Sequence, residues 1–216
     1  MSEYPIKEDR PILVPGSHIA DPAPLGLAAF ALTTFVLSVV NADIVPRELV
    51  GGALGLALAY GGIGQFAAGL WEFAKGNTFG ATAFCSYGAF WVSFWWLAEK
   101  DLANLGPDGY KVVGVYLLAW FIFTAYMSVA AMRVNMAVLA VFVLLTITFL
   151  ILAIGWFDQE SKGWIQVGGY LGILTAIAAW YTSFAGVTAF TWGRQVFPVG
   201  ARQQVDHRHE VAPPRP

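Results

Sequence analysis

Uncharged apolar runs alternate with short polar breaks along the chain. The first run, 24–42, follows a polar segment at 1–23 and matches the roughly 20 residues needed to cross bilayer hydrocarbon as a helix. Pro24 suits its first turn, where a missing N–H costs nothing. Asp43 to Glu48 interrupts the pattern, and a glycine-rich run at 49–72 resumes it until Glu72 and Lys75. Gly76-Asn77 makes a tight turn into a third run at 78–98. A polar loop ending in Pro107-Asp108-Gly109 then has turn chemistry. Further runs lie at 112–132, 136–157 and 164–192, and a charged tail occupies 194–216. The run at 136–157 is aliphatic and β-branched, but among such neighbours it reads as helix, because an open strand cannot satisfy its backbone in lipid. The pattern predicts an all-α membrane protein with six transmembrane helices.

Composition agrees. The chain is 57% hydrophobic and only 12% charged, against about 25% charged in soluble domains. A formal net charge of −2 gives no reason to expect a nucleic-acid partner. Cys85 is the single cysteine, so no intrachain disulfide can form. Residues 1–20 have no apolar signal-like core, so the first run is expected to direct insertion. Six spans place both termini on one side, where Lys and Arg outnumber the four on the other side, Arg47, Lys100, Lys111 and Lys162. The positive-inside rule then predicts a multi-pass protein of the plasma membrane with both termini cytoplasmic. Trp95, Trp96, Trp156 and Trp164 fall at the predicted outer interface, and Trp71 and Trp192 at the inner one.

A few polar residues inside the runs carry the candidate chemistry. Gly51, Gly55, Gly62 and Gly69 are spaced by four and seven, which draws one small-residue face down the second helix; Gly168 and Gly172 make a shorter one on the sixth. Such faces pack helices closely, within a protomer or between copies. Gln65 needs a partner in hydrocarbon, either as interhelical glue or on a watery path. Glu72 is the one acidic residue that lies within a run, near its inner end. It either exchanges a proton during transport or is an interfacial carboxylate paired with Lys75 or Arg133. Thr78, Thr82 and Ser86 recur every four residues as a hydroxyl stripe, beside a face of Gly80, Phe84, Tyr87 and Trp91. The hydroxyls either bond their own helix backbone or line a narrow amphipathic pore, which Phe30, Thr34 and Asn41 on one face of the first helix would oppose.

Other chemistries find no residues. His18, His207 and His209 lie outside the runs, no lysine sits mid-run, and no Cys/His/carboxylate cluster or nucleophile–base pair occurs. No cofactor, no metal and no enzymatic activity are expected.

Two motifs resemble the acetate uptake transporter family. Pro22-Ala23-Pro24-Leu25-Gly26-Leu27 is similar to its N-P-A-P-L-G-L signature. Tyr60-Gly61-Gly62-Ile63-Gly64-Gln65, then Glu72, Gly76-Asn77-Thr78-Phe79-Gly80-Ala81-Thr82-Ala83-Phe84 and Ser86-Tyr87-Gly88, follow in order and spacing. The resemblance covers nearly all of residues 21–200. It implies one six-helix bundle per protomer, assembled as a homohexamer in the lipid bilayer, each protomer with its own pathway. It implies transport of acetate and related monocarboxylates, with succinate as a dicarboxylate candidate. It also implies a hydrophobic constriction of a Phe, a Tyr and a Leu; by motif position the first two are Phe30 and Tyr87, and counting back from Gly155 gives Leu145 for the third, with Leu144 as the alternative. The signature Asn is Asp21 here, which cannot donate to a carboxylate when ionised but can cap a helix.

The resulting expectation is a transporter or channel for small carboxylates. Its pathway would run past Asp21 and Pro24 at the entrance, with neutral hydrogen-bonding groups at Thr34, Asn41, Gln65, Asn77, Thr78, Thr82 and Ser86. The Tyr87 hydroxyl would donate to a passing carboxylate, and Glu72 is the candidate for proton coupling. Two alternatives stay open: a channel for neutral solutes such as ammonia, water or undissociated acid, and a non-transporting membrane sensor or scaffold.

Overall fold

Backbone polar groups that cannot reach water are satisfied inside helices, and the computed structural model, which describes residues 18–201, contains six long ones. They are α1 (Ala23–Asn41), α2 (Arg47–Lys75), α3 (Thr78–Trp96), α4 (Gly109–Ala131), α5 (Met136–Phe157) and α6 (Lys162–Thr191). The polar segments at 1–17 and 202–216 lie outside the described residues. Helices α1, α2, α4, α5 and α6 are long and apolar enough to cross a membrane. Helix α3 is not among them, because hydroxyls, glycines and tryptophans dilute its apolar content; yet Gly80, Ala81, Ala83, Phe84, Tyr87, Gly88, Phe90 and Trp91 are all buried on it.

Local sequence sets the helix ends. Gly76 adopts φ +83°, the left-handed conformation that terminates α2, and the Asn77 N–H donates to the Glu72 carbonyl at 2.9 Å. Asn77 then caps α3, its Oδ1 accepting from the Gly80 N–H at 3.1 Å. Asn135 caps α5 in the same way, accepting from the Val138 N–H at 2.8 Å. A strap at 193–201 returns across this end of the bundle. The Met136 and Ala137 N–H groups donate to the Gly200 and Val199 carbonyls at 3.1 and 3.0 Å, and the Tyr181 hydroxyl donates to the Pro198 carbonyl at 2.7 Å. The strap thus satisfies backbone donors that a helix start leaves bare.

The helices form a closed ring in which α1 packs on α6, α6 on α5, α5 on α4, α2 on α1 and α3 on α2. At the α2–α3 seam, a Cβ on Gly69 would lie 2.5 Å from the Cys85 backbone N, and one on Gly88 would lie 2.7 Å from the Phe66 backbone N. The α3–α4 seam is wide and filled by rings instead. Tyr87 lies 5.4 Å from Phe123, and Phe90 lies 5.1 Å from Trp120 and 5.7 Å from Tyr116.

The expected glycine face of α2 does not run straight. The segment Ala57–Gly64 is π-helical, and its wider turns rotate the two halves of the helix relative to each other. Gly62 and Gly69 pack against Val92 and Cys85 of α3, whereas Gly51, Gly52 and Gly55 meet nothing within 4 Å. On α6, Gly168 packs against Leu152 and Gly172 against Ser38.

Candidate functional site

Two cavities enter the bundle from opposite ends. The proximal one, beside the strap, has a volume of about 340 Å³. Asp21, Pro24 and Leu27 of α1 line it, with Glu72 and Lys75 of α2, Asn77, Gly80, Ala83 and Phe84 at α3, Asn135, Val138 and Phe142 at α5, Thr182 and Gly186 of α6, and Gln195 and Val199 of the strap. The distal cavity, of about 310 Å³, is lined by Leu37 and Asn41 of α1, Arg47, Phe90, Phe94, Tyr116, Leu117, Phe149, Leu152, Trp156 and Glu160.

Phe30, Tyr87 and Leu145 line neither cavity and stand in the interval between them. On α1, Phe30 lies between Leu27 of the proximal cavity and Leu37 of the distal one. Tyr87 lies likewise between Phe84 and Phe90 on α3, and Leu145 between Phe142 and Phe149 on α5. All three are buried, Tyr87 to 3% exposure. Leu145 faces inward; Leu144 is half-buried in an outward groove with Leu174 and Ile177. Tyr87 is the hub of the interval, its ring 5.8 Å from Phe30 and 6.0 Å from both Trp120 and Phe142.

The Tyr87 hydroxyl does not point a free donor along the axis, contrary to expectation. It lies 2.9 Å from Thr124 Oγ1, and Thr124 spends its own proton on the Trp120 carbonyl at 2.7 Å. Tyr87 is therefore the donor in that pair. The bond holds the phenol sideways across the α3–α4 seam, so the interval presents ring surface rather than a hydrogen-bond donor.

The polar candidates divide. Glu72 is fully buried at the floor of the proximal cavity; its Oε2 accepts from Asn77 Nδ2 at 2.8 Å, and its Oε1 has no protein partner. Neither Lys75 nor Arg133 pairs with it. Lys75 instead bonds Asp21 Oδ1 at 2.7 Å, and the same oxygen accepts from the Ala23 N–H at 3.1 Å, so Asp21 is turned onto the start of α1. Pro24 lines the proximal cavity and its carbonyl accepts from the Ser183 hydroxyl at 2.6 Å. Asn41 lines the distal cavity.

Gln65, 1% exposed, and Thr34 are buried but line neither cavity, and Gln65 Oε1 and Thr34 Oγ1 have no protein partner. The hydroxyl stripe is displaced. Thr78 is exposed, Thr82 and Ser86 are half-buried, and none of them lines either cavity. The reason is geometric: the aromatic ridge Phe84–Tyr87–Trp91 claims the inward face of α3, and a residue one step round the helix cannot share it.

Sequence reasoning found α4 as a helix but missed its part in the site. Thr124, Trp120 and Phe123 meet Tyr87, and their only signal was a threonine sharing a helical face with aromatics in an uncharged run. It also missed Arg47, read as part of a charged turn. Its Nη2 donates to the Lys162 carbonyl at 3.2 Å at the distal cavity.

Comparison with known proteins bears on this arrangement. The family model described as "GPR1/FUN34/yaaH family" matches residues 9–194. "Acetate permease A" of Emericella nidulans is 40% identical over 204 residues, covering 86% of this chain and 67% of that protein. "Succinate-acetate/proton symporter SatP" of Escherichia coli is 37% identical over 188 residues, covering 85% of this chain and 97% of that protein. Of two Saccharomyces cerevisiae relatives the chain spans only 63% of the length. A solved structure described as "Structure of the bacterial acetate channel SatP" superposes with a TM-score of 0.79 at 37% identity, covering 84% of this chain and 99% of that one.

Proposed function

The chain belongs to the GPR1/FUN34/yaaH family, and from that membership we propose that it carries acetate and related small carboxylates across a membrane, through one pathway in each protomer. The observation that carries the reading is the pair of cavities entering from opposite ends, with buried Phe30, Tyr87 and Leu145 in the interval between them. A pathway closed by a thin apolar layer fits a solute small enough to slip past rings when they shift, and an apolar constriction strips water from what passes. The likeness to a protein named as an acetate channel and to one named as a succinate-acetate/proton symporter supports the substrate class.

Charge decides how the layer is crossed. A bare carboxylate among rings, with the Tyr87 hydroxyl already engaged, carries a large desolvation cost. Glu72 sits in the proximal cavity with one oxygen unpartnered, and there it exchanges a proton with the solute, which then crosses the rings as the neutral acid.

Helix α3 brings the number of spans to six, enclosed by α2 and the rings of α4 rather than presented whole to lipid, which is why its hydroxyls are tolerated. The positive-inside bias places both termini in the cytoplasm, and the membrane is the plasma membrane. The protomers assemble as a hexamer, for which the open Gly51–Gly55 face of α2 and the outward stripe of α3 offer close-packing surfaces.

The test is uptake of radiolabelled acetate into proteoliposomes of the purified chain, with and without an inward proton gradient. Saturable uptake that the gradient drives is expected. Ammonia or water flux without acetate uptake would favour a neutral-solute channel, and no flux of any solute would favour a sensor or scaffold.

A further inference from the structure

We propose that the Asp21–Lys75 ion pair is the charge filter of the proximal cavity: it occupies the ammonium that would otherwise receive the second carboxylate of a dicarboxylate, and so biases the pathway toward monocarboxylates. This rests on the carboxylate-transport reading and specifies its substrate class.

Lys75 is the single Lys or Arg among the described residues lining that cavity. Its Nζ lies 2.7 Å from Asp21 Oδ1, although Glu72 stands one turn back on its own helix. Asp21 is held in place to take it, since the same Oδ1 also accepts from the Ala23 N–H at 3.1 Å. Burial ranks the depth of these groups. The Asp21 and Lys75 side chains are 52% and 32% exposed, whereas Glu72 is fully buried. The pair is therefore the rim of the cavity, and Glu72 with Asn77 is its floor.

The two ends of the cavity treat one charge and two charges differently. A volume of about 340 Å³ is ample for a small diacid as well as for acetate. A monocarboxylate that turns its charged end to the floor, where Glu72 can share a proton with it, leaves only a methyl or short chain at the rim. A diacid in the same pose keeps its second carboxylate at the rim, beside the Asp21 carboxylate and a lysine already neutralised. Exposed ion pairs are held weakly, so the effect is a bias and not a block. Replacing Asp21 by Asn removes the charge while keeping a side chain that ranks with Asp as a helix cap, so the start of α1 survives.

The experiment measures labelled succinate and labelled acetate uptake in parallel, in proteoliposomes of the full chain at neutral pH, and reads the ratio. Asp21→Asn is expected to raise the succinate-to-acetate ratio by roughly fivefold, the upper end for one exposed pair. Adding Lys75→Gln to that variant is expected to abolish the gain. Lys75→Gln alone leaves Asp21 uncompensated and is expected to lower the ratio below wild type, and this arm decides the matter if Asp21→Asn does not fold. An unchanged ratio in Asp21→Asn, as would follow if Lys75 merely transferred to Glu72, overturns the proposal, as does a raised ratio in Lys75→Gln alone. Wild-type protein that takes up no acetate removes the transport reading itself; acetate uptake with an unmoved ratio removes this inference alone.

Discussion

Tyr87 and Thr124 share one hydrogen bond, but the two partners are not equivalent. Tyr87→Phe deletes the donor and leaves Thr124 bonded to the Trp120 carbonyl, so unfolding in detergent should show a loss of about 0.5–1.5 kcal/mol. Thr124→Val leaves the Tyr87 hydroxyl buried among rings with nothing to accept its proton, and should cost about 1–3 kcal/mol. Equal losses would mean that the bond direction assigned here is wrong. Glu72 is open to a separate test. If it exchanges the proton, Glu72→Gln should flatten the rise of acetate uptake as external pH falls; a retained pH dependence would exclude it. At this scale the sequence was a partial guide. Motif position pointed to Phe30 and Tyr87 and counting back from Gly155 to Leu145, and each stands about one helical turn beyond a residue of the proximal cavity. It was silent on Thr124, whose importance arises only when α4 meets α3.

Among whole helices, α2 is the one whose sequence misled most. Its glycines look like a single stripe when counted at α-helical spacing, but the π-helical segment Ala57–Gly64 divides them into a packed set and an open set. The two sets should respond oppositely to a methyl group. Gly69→Ala, in the packed set, forces a Cβ to within 2.5 Å of the Cys85 backbone N, and overpacking of that kind costs about 1–3 kcal/mol. Gly52→Ala meets nothing within 4 Å and should stabilise α2 by about 0.5–1 kcal/mol through backbone entropy. Thermal unfolding of the two variants side by side checks the contrast. Helix existence was legible from uncharged run length alone. The orientation of the Thr78–Thr82–Ser86 stripe was not, since a hydroxyl every four residues marks a face without saying which neighbour it turns to.

For the whole molecule, the open glycines bear on assembly. Gly55→Trp would fill the unoccupied face of α2 without touching the packed seam. Native mass spectrometry from detergent should then show wild-type hexamers and smaller species for the variant. Hexamers in both would move the interface elsewhere on the surface. Apolar exposure around the ring at Ile122, Val129 and Phe190 agrees with contact to lipid tails. Trp71, Trp96, Trp164 and Trp192 are exposed near helix ends, where an interfacial tryptophan could meet headgroups.

The ring and its strap also have an order in time. Helix α1 closes the bundle only by packing on α6, and the proximal cavity takes two of its lining residues, Gln195 and Val199, from the strap beyond α6. A ribosome releases the chain from its N-terminal end at about 5–20 residues per second. The first helix must therefore wait many seconds for its partner, held meanwhile chiefly by α2. A nascent chain halted before residue 199 therefore has an incomplete proximal cavity even when all six helices are in place.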